Sequence, residues 1–67
     1  MQKVKKIIDQ LEKIVREMYN SGTSNGIKIA EELEKECNTL AKIHPEIVAA
    51  YRKKCSEFKE WAYKINS

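Results

Sequence analysis

The chain reads as an all-α domain, an up-down-up bundle of three antiparallel helices. Three observations predict it. Apolar residues recur at three-four spacing in three separate stretches, two interruptions divide those stretches, and no strand-period alternation persists anywhere. With 67 residues, 42% hydrophobic and 34% charged, the composition is that of one folded helical domain (residues 1–67) rather than a disordered segment. So short a chain buries only about 60% of its unfolded surface, so close helix packing has to supply its stability.

The first helix is expected over residues 2–20. Val4, Ile7, Leu11, Ile14 and Met18 form its stripe, and Ile8 and Val15 widen it to the face a bundle helix buries. Asp9 precedes Lys13, and Glu12 precedes Arg16, by four residues in the acid-first order, each pair contributing roughly 0.2–0.5 kcal/mol. The run Asn20-Ser21-Gly22-Thr23-Ser24-Asn25-Gly26 then breaks the stripe and reads as a linker. Gly22 suits a left-handed helix-ending position, and Thr23, Ser24 or Asn25 can cap the second helix.

That second helix is expected over 24–43, with Ala30, Leu33, Cys37 and Leu40 on its stripe, joined by Ile27 and Ala41. The stripe is narrower and built from smaller side chains than the first. Glu31 and Glu32 occupy its first half, the side where carboxylates complement the helix dipole, and Glu34 and Glu36 follow just past its midpoint. His44-Pro45 comes next. Proline is welcome at a first helical position and pushes its predecessor out of helical geometry, so a tight corner is expected. The alternative is one Pro-kinked helix over both segments, assembling as a dimer.

The third helix is expected over 45–66. Val48, Tyr51, Cys55, Phe58, Ala62 and Ile65 keep three-four spacing, and Ile47 and Trp61 flank them. Lys53 with Glu57 and Glu60 with Lys64 face solvent, and only the second pair has the favoured order.

Function is less legible. A net charge of +3 implies by itself neither nucleic acid nor membrane. The start MQKVKKIID is basic but lacks the apolar core of a signal peptide, and no run approaches the ~18 apolar residues of a membrane span. A cytoplasmic location is expected, with both cysteines reduced. The bias to lysine, isoleucine, asparagine and glutamate suggests an AT-rich coding genome, bacterial or phage.

No pattern for chemistry stands out. Cys37, His44 and Cys55 lack the close ligand pairing and the fourth partner of a zinc site. Both cysteines fall on core-facing positions, where a thiol behaves as a small hydrophobe rather than a nucleophile. There is no Glu-x-x-His pair and no glycine-rich phosphate loop after a strand. No catalytic residue, metal or cofactor is expected. The basic clusters Lys3, Lys5, Lys6 and Arg52, Lys53, Lys54 could neutralise phosphates, but glutamates intervene on neighbouring faces. A solvated surface is the favoured reading there. The stripe of the first helix has its use in the core, so a membrane is not favoured as its partner.

What remains is a mismatch. The outer helices offer broad stripes of large residues, the middle one a narrow stripe. Level packing gathers Met18, Tyr19, Phe58, Trp61 and Tyr63 at one end, where some apolar surface is left uncovered. Tyr19, Ile47, Trp61 and Tyr63 are therefore the expected protein-binding residues, since exposed aromatics anchor interfaces. Trp61 closing the end of the core is the competing reading. The expected function is a small non-enzymatic protein-binding module, a regulator or inhibitor that docks a helix face on a partner protein. Alternatives are a structural homo-oligomerisation element and a weak, salt-sensitive nucleic-acid binder.

Overall fold

The computed structural model describes residues 2–66: helices α1 (Gln2–Asn20), α2 (Gly22–Leu40) and α3 (Pro45–Asn66), with no strand among the described residues. The three-helix bundle is all-α, as the periodicity predicts. The bounds of α1 and α3 are those expected; those of α2 are not.

Between α1 and α2 only Ser21 lies outside a helix, so the polar run is not a linker. Gly22 alone reverses the chain. Its φ of 83° is the left-handed conformation that costs a side-chain-bearing residue about 1–2 kcal/mol. Thr23, Ser24 and Asn25 lie inside α2 rather than capping it, and the residue at the cap position is Ser21. Its hydroxyl caps nothing; it donates back to the Glu17 carbonyl. Local polarity loses here because packing, not propensity, decides whether a turn of helix forms.

The other end of α2 stops at Leu40, three residues early. Ile43 N–H and His44 N–H both donate to the Leu40 carbonyl, at 2.9 and 2.7 Å. The His44 carbonyl accepts the Val48 N–H at 3.2 Å, with Pro45 at the first helical position. His44 therefore closes one helix and opens the next, and the Pro-kinked alternative is ruled out. Beyond the corner α3 doubles back: Arg52 bonds Asn38, Lys59 bonds Glu34, and Phe58 lies against Gly26.

Helix α2 is the central element, packed closely on both neighbours, while α1 and α3 meet along a thin seam. Its small side chains are the reason. Gly26, Ala30 and Cys37 are buried and let both outer helices approach. A Cβ built on Gly26 would stand 2.3 Å from Phe58 Cζ and 2.8 Å from the Met18 carbonyl oxygen. Around α2 the core collects Leu11, Val15 and Met18 from α1 and Val48, Tyr51, Cys55, Phe58 and Ala62 from α3. Among the described residues it contains no buried polar or charged side chain. Ile65 departs from expectation: it continues the stripe of α3 but is 56% exposed.

The register explains that. Tyr51 of α3 bonds Glu12 of α1, and Phe58 touches Tyr19, both pairs being 39 residues apart. Helices α1 and α3 thus run parallel, and α1 ends level with residue 59 of α3. The last seven residues of α3 project about 10 Å beyond it at 1.5 Å per residue. The 42 Å length of the molecule agrees, since a 22-residue helix alone spans about 33 Å.

Candidate protein-docking surface

The projecting end of α3 builds the site. Phe58, 1% exposed, is its floor, lying against the bare Cα of Gly26, which the Met18 carbonyl oxygen also approaches. Tyr19, on the last turn of α1, meets Phe58 edge-to-face with ring centroids 5.2 Å apart and an interplanar angle of 89°. Trp61, one turn along α3, lies 5.6 Å from Phe58 at 51°. Edge and tilted contacts of this kind are the favourable arrangements of aromatic quadrupoles. Tyr19 and Trp61 remain 55% and 51% exposed, because α1 has ended and nothing covers their outer sides.

These three rings and Glu57 line an open hollow of about 280 Å³. A second hollow, about 310 Å³, lies along Trp61 between Glu57, Glu60 and Lys64. Glu57 borders both. Among the described residues it makes no ion pair; the close charge pairs lie elsewhere, at His44–Glu46, Lys54–Glu12 and Lys59–Glu34.

Of the four expected residues the structure brings together two, Tyr19 and Trp61. Tyr63 is exposed but lies about 200° around α3 from Trp61 at 100° per residue. It stands one turn beyond Lys59, which donates to Glu34 of α2 at 3.0 Å. Ile47 is half-buried against the core, and its 14-residue separation from Trp61 puts it about 21 Å away along α3. Phe58 and Glu57 were not among the expected site residues. Their positions three and four residues before Trp61 carried the signal, because that spacing stacks side chains on one helix face.

Away from this end, polar contacts tie the seam. Tyr51 Oη donates to Glu12 Oε1 at 2.7 Å, and the Lys54 ammonium lies 3.7 Å from the same carboxylate and 5.4 Å from the Tyr51 ring centre. Burial, then the bond to Glu12, pushes the Tyr51 phenol up to about 12. The same bond holds the Glu12 carboxyl below its ordinary value. Burial likewise raises both thiols, Cys55 to about 11, and both are free and fully enclosed. No group of three or more His, Cys, Asp or Glu side chains among the described residues could hold a metal ion. Within the second basic cluster, Arg52 is bonded to Asn38 at 2.8 Å and Lys54 is paired with Glu12. No helix among the described residues is long and apolar enough to cross a membrane.

No protein-family model, curated protein or solved structure matches the chain.

Proposed function

We propose that this chain is a small non-enzymatic protein-binding module, a regulator or inhibitor that docks the Tyr19–Trp61 end of the bundle on a partner protein. The action is steric: the occupied end blocks or bridges the partner. One observation carries the reading, namely two half-exposed aromatic walls held against a buried aromatic floor. Trp and Tyr held in place before binding lose little side-chain freedom on docking, which is why such residues dominate interface energetics. The compartment in this reading is the cytoplasm of a bacterium or of a phage-infected cell, from the lysine-rich composition and reduced thiols.

The test compares wild-type, Trp61→Ala and Tyr19→Ala chains as quantitative baits, each first shown to be folded by circular dichroism. A partner retained by wild type and lost at least tenfold by both variants supports the reading; a tenfold loss is about 1.4 kcal/mol. A partner recovered equally by all three refutes this surface. Sedimentation at rising concentration separates the assembly alternative, in which mass doubles and Trp61→Ala prevents the doubling.

A further inference from the structure

We infer that the hollow between Tyr19 and Trp61 is a cation site that receives an arginine or lysine side chain from a basic segment of the partner. The inference rests on the docking reading above and specifies the chemistry of the occupant.

Three observations select a cation. The first is the lining. Aromatic rings present electron-rich faces, and a guanidinium or ammonium within about 6 Å of a ring centre is attracted to them. Tyr19 and Trp61 are each half-exposed, and each stands within 5.6 Å of Phe58, so a side chain entering between them meets more than one ring.

The second is the rim. Glu57 lines the aromatic hollow itself and continues into the neighbouring hollow, where Glu60 joins it beside the indole. An anion entering the aromatic hollow is opposed by the Glu57 carboxylate. A purely apolar occupant would strip water from Glu57 and offer its charge nothing in return. A cationic side chain satisfies the rings and the carboxylate together.

The third is contrast with the rest of the chain. Its net charge is +3, yet the aromatic hollow is lined by one carboxylate and no basic side chain, and the second hollow by two carboxylates and one lysine. Two glutamates elsewhere are engaged within the fold, Glu12 by Tyr51 and Lys54 and Glu34 by Lys59. Lys64 borders the second hollow and not the aromatic one. Arginine suits the site better than lysine, because its planar group stacks on a ring while its fork faces a carboxylate.

Trp61 is the only tryptophan of the chain, so its emission reads the site directly. The whole chain is titrated with a capped octapeptide alternating arginine and glycine. The controls are the same peptide with citrulline, which removes only the charge, and with glutamate. The expected result is a saturable change in emission with the arginine peptide, about tenfold weaker binding of the citrulline peptide, and no binding of the glutamate peptide. Glu57→Gln, at an exposed position and isosteric, weakens the arginine peptide several-fold and leaves the citrulline peptide unchanged. Glu60→Gln has a smaller effect in the same direction. Rising salt weakens the arginine peptide alone.

Equal binding of the citrulline peptide overturns the cation site while leaving the docking reading to its own test with the alanine baits. Arginine-peptide binding indifferent to Glu57→Gln and Tyr19→Ala also overturns it, since the peptide then sits elsewhere. So does the absence of any saturable response. An emission shift that tracks a doubling of mass without peptide would make the occupant a second copy of this chain and overturn it too.

Discussion

Substituting Gly26 by alanine sets two magnitudes against each other. Gly26 is the fifth residue of α2, and alanine there is favoured by roughly 1 kcal/mol on helix propensity alone. The packing opposes it. The new methyl would stand 2.3 Å from Phe58 Cζ, 2.7 Å from Cε1 and 2.8 Å from the Met18 carbonyl oxygen. Carbon atoms rest at about 3.5–4.0 Å, so the ring must retreat by about 1 Å or more, or α1 must move off α2. The ring has little room, being 1% exposed with Tyr19 and Trp61 against it, and the Met18 oxygen is backbone. Overpacking of this kind costs about 1–3 kcal/mol, and with the propensity gain subtracted the expected net loss is about 0–2 kcal/mol. In a domain of this size each kcal/mol moves Tm by about 4–8 °C. Urea denaturation and a thermal melt followed by helical circular dichroism measure the loss directly. Phe58→Leu in the Gly26→Ala background should show favourable coupling, because the smaller side chain vacates the ring position. A Gly26→Ala protein more stable than wild type, or strictly additive energies in that cycle, would refute the close approach of the three helices.

The remaining expectations concern burial. Trp61→Ala should leave a folded chain with a loss well below that of Phe58→Ala, which as a buried aromatic truncation costs about 3–5 kcal/mol; equal losses would return Trp61 to the core. Cys37 and Cys55 should react slowly with a thiol reagent in the native state and both react in denaturant without prior reduction. No thiol in denaturant would mean a disulfide and a different packing. Stability should fall as pH rises from about 9 to 12. Tyr51 is held at about 12 and Cys55 at about 11, above their ordinary values of 10 and 9, so the unfolded chain releases both protons first. A denaturation midpoint unchanged across that window would contradict the burial of both groups, and Tyr51→Phe should flatten the upper part of the loss.

Periodicity determined most of the architecture by itself. The stripes of the outer helices are long and made of large residues, and Pro45 opens the third, so the bounds of α1 and α3 follow from local pattern. The same reasoning places Cys37 and Cys55 in the core and Tyr19 beside the end of α3. Only the tertiary structure decided the extent of α2. Its first turn is polar and glycine-containing, and it is helical because Gly26 lets Phe58 and the Met18 backbone close upon it. Side-chain pattern alone reports no such approach between backbones. The tertiary structure also decided which large apolar residues stay outside. Ile65 shares the stripe of α3 that buries Phe58 and Trp61 flanks it, so spacing alone does not say which of them stay covered. They differ because α1 stops level with residue 59. That stop is set by the parallel register of α1 and α3, two helices joined only through α2, and so depends on both turns at once. The chemistry of each ring was legible in the sequence; its exposure was a property of where a different helix ends.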